Sequence, residues 1–177
     1  MKNLITILTV CSRPEYLSKI YDSIINQNYD NFKWIISFDF DEFPNVETKI
    51  IEDKRVEQVL YKNKEWDITN YGALNNILDN HISDPTWICI IDDDNIMYPN
   101  YLNTINSKLT KKLKFVLYNQ LYFDNTIRFI GRTKDIAEGH IDTAQVCFYS
   151  TLAKNVRFVS KYTADGIFYK ELFNKIN

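Results

Sequence analysis

The stretch that most constrains this chain is an apolar run, residues 87–91, that ends in three consecutive carboxylates, Asp92, Asp93 and Asp94. A continuous apolar run of this length is typical of a strand buried on both faces of a sheet. Neighbouring carboxylates repel one another, so they need solvent, a cation or cationic side chains nearby. The pattern fits a divalent-metal site that holds a phosphate-bearing ligand. It also fits a plain acidic turn, with Asp94 or Asn95 capping the next helix.

Composition and charge exclude several classes of protein. The 177 residues are 45% hydrophobic and 25% charged, which predicts one globular domain with a full core. The net charge is −2 and the lysines are spread along the chain, so no nucleic-acid-binding face is predicted. The three cysteines form no CxxC pair, which predicts buried free thiols in a reducing compartment. No apolar run suggests a signal peptide or a transmembrane segment, so a cytoplasmic protein is expected.

The apolar periodicity predicts alternating strands and helices in the first hundred residues. Strands are expected at 4–10, 32–38, 56–61 and 87–91. Helices are expected after Pro14, over 46–54 and over 67–82. A strand, a helix and a second strand within about forty residues form a βαβ unit. The sequence therefore predicts an α/β fold with a mostly parallel central sheet flanked by helices and joined by right-handed crossovers.

The second half has a more mixed pattern. It predicts a helix over 98–111, strands over 115–118 and 144–149, a hairpin of 121–123 with 127–130 turning at 124–125, a mobile polar loop over 131–139, a helical turn at 151–155 and a last helix over 165–176. No repeat or linker divides the chain. We therefore expect a single domain spanning residues 1–177.

A second acidic segment ends the strand over 32–38. Asp39-Phe40-Asp41 after a buried strand resembles the nucleophile segment of haloacid-dehalogenase-type phosphatases, although Glu42 and Phe43 replace the residues that usually follow. Asp39 could instead bond a nucleotide base or ribose. The chain has only four glycines and no Gly-rich phosphate loop. A diphosphate bound here would therefore need a metal to replace backbone amides.

Five segments, in order along the first hundred residues, resemble glycosyltransferases of the GT-A fold, closest to the inverting enzymes of family 2. They are the strand and Arg-containing turn over 9–17, then 23–29, 32–39, the Gly-and-Asn helix over 70–75, and the DXD segment 91–94 with its helix over 98–102. The resemblance implies a nucleotide-binding half over 1–100 and an acceptor and catalytic half over 101–177.

The resemblance also implies a reaction and a set of ligands. The reaction is transfer of a sugar, with inversion, from a nucleotide-sugar donor, UDP-linked by expectation, to a hydroxyl acceptor, with Mn²⁺ or Mg²⁺ as cofactor. The residues implied in nucleotide-sugar binding are Thr9, Arg13, Asp39, Asn75, Asp92, Asp93 and Asp142. Within that set Thr9, Arg13 and Asp39 are expected around the base and ribose. Asp92 is expected nearer the ribose, and Asp93 has no specific task. Asp94 is the implied metal ligand, with His140 near the metal or diphosphate.

The catalytic base is implied by a late segment. Residues 162–166 resemble the family's base segment, with Ala164 in place of the usual Glu, so Asp165 is the candidate base. Asp165 could also be a helix N-cap. His140 could be a surface residue, and Asp142 could orient the sugar or acceptor or only bond the backbone.

Three alternatives remain open at this stage. The chain could be a non-catalytic nucleotide-sugar-binding module of the same fold. Family members usually carry more chain after the base, so this one could be a minimal enzyme or work beside another subunit. Arg128, Arg132 and Lys134 could contact the diphosphate from a loop that orders on donor binding, or belong to an ordinary solvated hairpin.

Overall fold

The structure, a computed structural model, describes residues 3–40, 43, 51–62, 70–110 and 113–176. The strands are β1 Ile5–Cys11, β2 Phe32–Asp39, β3 Val56–Tyr61, β4 Trp87–Ile90, β5 Phe115–Leu117, β6 Gln120–Leu121, β7 Ile127–Phe129 and β8 Val146–Tyr149. The helices are α1 Leu17–Ile25, α2 Tyr71–Asn80, α3 Tyr101–Lys108 and α4 Ala164–Asn174.

Six strands form the central sheet, in the order β3-β2-β1-β4-β8-β5. Strands β1 to β4 pair in parallel, whereas β8 runs antiparallel to both of its neighbours. Strands β6 and β7 pair separately as an antiparallel hairpin. The predicted mostly parallel α/β sheet with a mixed second half is confirmed.

The helices cover both faces of the sheet. Helices α2 and α4 pack with Leu8 and Phe148 in one core, and α1 and α3 pack with Ile7 and Trp34 in the other. The alternation of side chains along β1 assigns neighbours such as Ile7 and Leu8 to opposite cores. This explains why the central strands are apolar on both faces rather than on one.

The strand order places a crevice where β1 and β4 end. The chain moves from β1 outward to β2 and β3, and then returns to place β4 on the other side of β1. In open α/β sheets, the crevice beyond the carboxyl ends of such strands is where ligands bind. Ser12 and Arg13 follow β1 at this edge, and the three aspartates follow β4.

Several predicted boundaries differ from the structure. The helix over 67–82 begins only at Tyr71, because Asn70 has a left-handed backbone (φ 59°) that cannot continue a helix; residues 67–69 lie outside the described part. Helix α3 is shorter than the predicted 98–111 at both ends. No helix forms over residues 51–54, and the rest of the predicted 46–54 helix lies outside the described residues.

The segment expected as a mobile loop, residues 131–139, is structured. It contains a 3₁₀ turn over Thr133–Asp135, and Ile136 is buried in the core beside α4. Gly131 donates its backbone N–H to Asn119 Oδ1 at 3.0 Å. One apolar side chain within a polar sequence thus attaches the segment to the fold.

Gln27 connects α1 to the segment after the aspartates. Its side chain is buried; the amide nitrogen donates to the Tyr98 carbonyl at 2.7 Å, and the amide oxygen accepts from Leu102 N–H at 3.1 Å. This amide therefore fixes the start of α3 relative to α1.

All three cysteines are buried free thiols, as the sequence predicted. Among the helices in the described part of the chain, none is both long enough and apolar enough to cross a membrane.

Thr9 supports the sheet rather than the crevice. It is fully buried, and its hydroxyl oxygen accepts a hydrogen bond from the Trp34 indole N–H at 3.1 Å. Thr9 lies two residues from Ile7 on β1, so it faces the α1 and α3 side of the sheet.

We expect Thr9→Val to lower the free energy of unfolding by about 1–3 kcal/mol, because a buried indole N–H loses its acceptor. In a Trp34→Phe background the same change should cost less than about 0.5 kcal/mol, since no N–H is left unpaired. Urea unfolding of the four proteins in this cycle measures the difference. Equal losses of unfolding free energy in the two backgrounds would contradict the hydrogen bond between Trp34 and Thr9.

Candidate functional site

The crevice beyond β1 and β4 is a cavity of about 470 Å³. Its lining also includes residues of the segment before β8 and of the start of α4. Its lining is strongly acidic: within the described residues, five carboxylates and two guanidinium groups line it, namely Asp92, Asp93, Asp94, Asp142 and Asp165 with Arg13 and Arg128.

The three aspartates form a turn and do not cap a helix. Asn95 N–H donates to the Asp92 carbonyl at 3.1 Å, which closes the turn. Helix α3 begins six residues later, and its N-cap residue is Asn100, without a side-chain cap bond. The alternative of a cap at Asp94 or Asn95 is therefore not what the structure shows.

Asp93 points inward and joins the ends of β4 and β1. Its side chain is only 2% exposed. One oxygen accepts the backbone N–H groups of Ser12 and Arg13 at 2.9 and 3.0 Å. The other accepts Arg13 Nε–H at 2.8 Å and a second guanidinium N–H from Nη2. Both oxygens are thus occupied by the turn after β1.

Asp94 points outward into the cavity. Its side chain is 44% exposed, and one oxygen pairs with Arg13 Nη1 at 2.9 Å. Arg13 therefore spans two carboxylates, one buried and one open to the cavity. The combined hydrogen bonds and charges of both carboxylates outweigh desolvation and raise the pKa of Arg13.

Asp92 is connected to the second half of the chain. Thr143 donates its hydroxyl to one Asp92 oxygen at 2.8 Å, and the Thr143 carbonyl accepts the buried Tyr169 hydroxyl at 2.7 Å. Burial is the main cause that raises the Asp92 pKa to about 7, followed by the charge of Asp142. An Asp with this pKa marks a site where negative charge is not fully compensated.

The Asp142 carboxylate accepts hydrogen bonds from nearby residues and forms an ion pair with Arg128. Its oxygens accept Ala144 N–H at 3.0 Å and the Gln120 amide at 3.2 Å, and Arg128 Nη1 lies 3.3 Å away. The Asp142 backbone N–H in turn donates to Gln145 Oε1 at 2.9 Å. Of the two roles left open for Asp142, backbone bonding is therefore present, and the carboxylate also lines the cavity.

Asp165 lies in the first turn of α4 and is not its N-cap. The N-cap is Thr163, and Asp165 accepts the Gly166 N–H at 2.8 Å. Burial raises the Asp165 pKa to about 6; the Gly166 bond opposes this shift, and the Asp142 charge adds to it. A carboxylate with such a pKa can accept a proton near neutral pH.

The structure brings six of the ten predicted site residues to one cavity and leaves four outside its lining. The six are Arg13, Asp92, Asp93, Asp94, Asp142 and Asp165. The four that do not line it are Thr9, Asp39, Asn75 and His140.

Asn75 instead bonds the backbone N–H and carbonyl of Phe158, each at 2.8 Å, so its amide connects α2 to a loop. His140 is exposed, and Asp39 ends β2, on the far side of β1 from β4.

Sequence reasoning missed some residues that build the site. Thr143 orients Asp92, and Tyr71 lines the cavity while stacking on Phe158 with ring centroids 4.9 Å apart. Tyr71 lies in the family-like segment 70–75, but nothing in the sequence singles out either residue as part of the site. Gly166 does have a sequence signal, because a Cβ there would lie 2.3 Å from the Ala137 carbonyl oxygen. A glycine beside a candidate base indicates such a close backbone approach.

Comparison with known proteins assigns the family. The family described as "Glycosyl transferase family 2" matches residues 6–171, and the chain belongs to this family. No curated protein shows significant sequence similarity to it.

Solved structures confirm the GT-A fold. Residues 1–349 of S. aureus TarS are 12% identical, with a TM-score of 0.72, and the match covers 98% of this chain and 55% of that one. The same TarS fragment in complex with UDP is 13% identical, with a TM-score of 0.70, over 98% and 56% of the two chains.

A third similar structure is the mannosyltransferase PcManGT from Pyrobaculum calidifontis, in complex with GDP-Man and Mn²⁺. It is 12% identical, with a TM-score of 0.65, and the match covers 97% of this chain and 52% of that one. The chain thus spans about half the length of these structures.

The donor set of the cavity suits a hard divalent cation shared with a ligand. Within the described ranges, no group of three or more His, Cys, Asp or Glu side chains lies close enough to hold a metal unaided. Asp94 nevertheless presents carboxylate oxygen to the cavity, beside the excess negative charge noted above. Mg²⁺-type ions are commonly held by one or two carboxylates together with substrate phosphates, and the residues present fit that arrangement.

The raised pKa of Asp165 predicts a pH-dependent stability difference. Below its unfolded pKa, near 4, Asp165 is protonated in both states. As pH rises toward the folded value of about 6, the unfolded state releases its proton first, and the folded protein loses stability. Asp165→Asn lacks this loss.

We therefore expect Asp165→Asn to gain about 1 kcal/mol over wild type between pH 4 and pH 7, after allowing for screening by solvent. Urea unfolding at several pH values measures this gain. The matched control is Asp84→Asn in the exposed loop before β4, which removes a carboxylate that is not buried. A constant difference between Asp165→Asn and wild type across this range would contradict the raised pKa.

Proposed function

We propose that this chain is the catalytic unit of a metal-dependent glycosyltransferase that transfers a sugar, with inversion, from a nucleotide-sugar donor to a hydroxyl acceptor. The observation that carries the proposal is the cavity beyond the carboxyl ends of β1 and β4, between which the strand order reverses. It holds an outward Asp94, an anchored Arg13 and a half-buried Asp165.

The negative charge of the cavity supports a role for a cation in binding the donor. A nucleotide diphosphate is negative, and so is a lining with five carboxylates and two guanidinium groups. The two would repel one another unless a cation lay between them. Asp94, exposed to the cavity, is the residue we assign to that cation, with the diphosphate as the other source of oxygen ligands. A bound Mn²⁺ or Mg²⁺ supplies charge stabilisation for the departing diphosphate.

Asp165 is the residue we assign as general base. Inverting transfer needs a carboxylate that takes the acceptor hydroxyl's proton during attack. Asp165 lies at the start of α4, in the same cavity as Asp94, and burial raises its pKa to about 6. At neutral pH it is ionised yet basic enough to accept a proton.

The remaining residues of the cavity position the donor. We assign Arg13 and Arg128 to the diphosphate, because they are the cationic side chains of the lining, and Asp92 to the ribose. Asp142 holds Arg128 and so orients it. A UDP-linked donor is our first choice, supported by the family resemblance and by the TarS complex with UDP. The GDP-Man complex of PcManGT makes GDP-sugars the second choice.

Two alternatives are weaker. A phosphatase built on Asp39 is disfavoured by the family match and by the position of Asp39 outside the cavity lining. A non-catalytic nucleotide-sugar-binding module would share the fold and the cavity. No specific observation favours the module, whereas the raised pKa of Asp165 in the cavity favours an enzyme.

We expect Asp165→Asn to reduce transfer at least about 100-fold and to leave UDP affinity within about twofold, because it removes the base and keeps the shape. Release of UDP from UDP-sugars, with water as a surrogate acceptor, measures turnover without knowledge of the acceptor. Calorimetry with Mn²⁺ and UDP measures binding. Wild-type binding without turnover of any UDP- or GDP-sugar would favour the module. Undiminished turnover by Asp165→Asn would remove Asp165 as the base.

We also expect kcat/KM to rise with pH and to level off above about pH 6, because Asp165 must be ionised to act. Binding of UDP measured over the same range separates this step from the titration of Asp92. A rate that falls as pH rises from 5 to 7 would contradict a carboxylate base.

A further inference from the structure

Arg13 makes two different kinds of contact with the aspartates after β4. Its Nε–H and Nη2 bond one oxygen of Asp93, whereas Nη1 bonds Asp94 at 2.9 Å. The two ends of the Arg13 guanidinium therefore bond two different carboxylates. The guanidinium carbon also lies 5.2 Å from the centre of the Tyr16 ring, which supports the same orientation.

The two contacts differ in permanence. Asp93 is 2% exposed and also accepts two backbone N–H groups of the same turn, so its bond to Arg13 is part of a buried network. The Arg13 and Asp94 side chains are 42% and 44% exposed, so their pair is open to water and to competitors. One end of the guanidinium is fixed and the other end is exchangeable.

Asp94 is also the residue that we assign to the divalent cation. A cation coordinated by this carboxylate would lie within a few ångströms of the positively charged Nη1. Repulsion at that separation, together with loss of the carboxylate's free charge, favours release of Nη1 from Asp94. Because Asp93 holds the Nε edge, release leaves the guanidinium at the cavity wall with Nη1 available to a ligand.

We propose that Arg13 is an internal counter-cation that neutralises Asp94 before the divalent cation binds and then offers Nη1 to the donor diphosphate. In this proposal Asp93 is the positioning residue that holds the guanidinium in both states. The inference rests on the proposed function, since it takes Asp94 as the cation ligand and a diphosphate as the donor group. It also gives Asp93 a role that the sequence left unassigned.

Two consequences follow from this exchange. Cation binding alone is weakened, because Arg13 must first leave Asp94. Cation binding also prepares Arg13 for the diphosphate, so the cation and UDP strengthen each other's binding, by the same factor in either order. A residue that only stabilised the turn would not weaken cation binding, and it would add nothing to the coupling that arises when the cation and the diphosphate share ligands.

The test uses the double variant Arg13→Gln with Asp93→Asn. It removes one positive and one negative charge, so the formal charge of the cavity stays that of the wild type, and no carboxylate is left buried without its cation. Calorimetry measures the Kd of Mn²⁺ alone, of UDP alone, and of UDP with saturating Mn²⁺. Circular dichroism and thermal unfolding establish that each protein is folded.

We expect the double variant to bind Mn²⁺ alone about two- to fivefold more tightly than wild type, the effect of releasing a half-exposed ion pair. We expect its affinity for UDP with Mn²⁺ to fall about tenfold, because a charged donor to the diphosphate is lost. The factor by which Mn²⁺ strengthens UDP binding should fall accordingly. Unchanged or weaker Mn²⁺ binding in the folded double variant would overturn the proposal.

A second measurement needs no substitution. In the wild-type protein, addition of Mg²⁺ should leave the Arg13 Nε–H protected from solvent exchange and should remove protection from its Nη1 protons, as followed by NMR. Protection of both groups with Mg²⁺ bound would also overturn the proposal.

Asp94→Asn separates this inference from the proposed function. If wild type binds Mn²⁺ and Asp94→Asn does not, the cation assignment stands, and the double variant tests the exchange alone. If wild type binds neither Mn²⁺ nor UDP, or if Asp94→Asn binds Mn²⁺ as wild type does, the proposed cation site itself fails.

Discussion

The site depends on one buried carboxylate that joins two strand ends. Asp93 follows β4 and bonds the backbone and side chain of the turn after β1. A buried charge is tolerated only when it is paired and hydrogen-bonded, and Asp93 meets both conditions. The same guanidinium that Asp93 holds also pairs with its neighbour Asp94, whose side chain is directed out into the cavity. The orientation of the candidate cation ligand is therefore set by a residue that offers no oxygen to a ligand.

The rest of the cavity is an arrangement of opposing charges. Asp92 and Asp165 have pKa values raised to about 7 and about 6, mainly by burial, and Asp142 adds repulsion to both. Repulsion within such a cluster lowers the stability of the fold, a conflict between stability and chemistry that is common at functional sites. A divalent cation with a diphosphate would relieve this repulsion. The same repulsion therefore makes cation binding and donor binding interdependent.

The sequence predicted the sheet, most elements and the edge at which the carboxylates meet, because these follow from apolar periodicity and strand ends. The sequence did not predict features that depend on a single backbone angle or on the direction of a single side chain. The left-handed Asn70 delays the start of α2 to Tyr71, and no sequence pattern indicates this. The family resemblance implied a role for Thr9 in nucleotide-sugar binding, and the period of two places Thr9 with Ile7, away from the cavity that Val10 lines. Asn75 is a helix residue whose amide bonds a distant loop, which one sequence cannot show.

The central claim is that Asp94 and a donor diphosphate hold a divalent cation in this cavity. The most direct measurement is a crystal structure with Mn²⁺ and UDP, with data collected at a wavelength where manganese scatters anomalously. The account predicts one anomalous peak about 2.0–2.3 Å from an Asp94 carboxylate oxygen and in contact with the UDP phosphates, with Asp93 still bonded to Arg13. A manganese peak away from Asp94, or UDP bound outside the cavity, would contradict it.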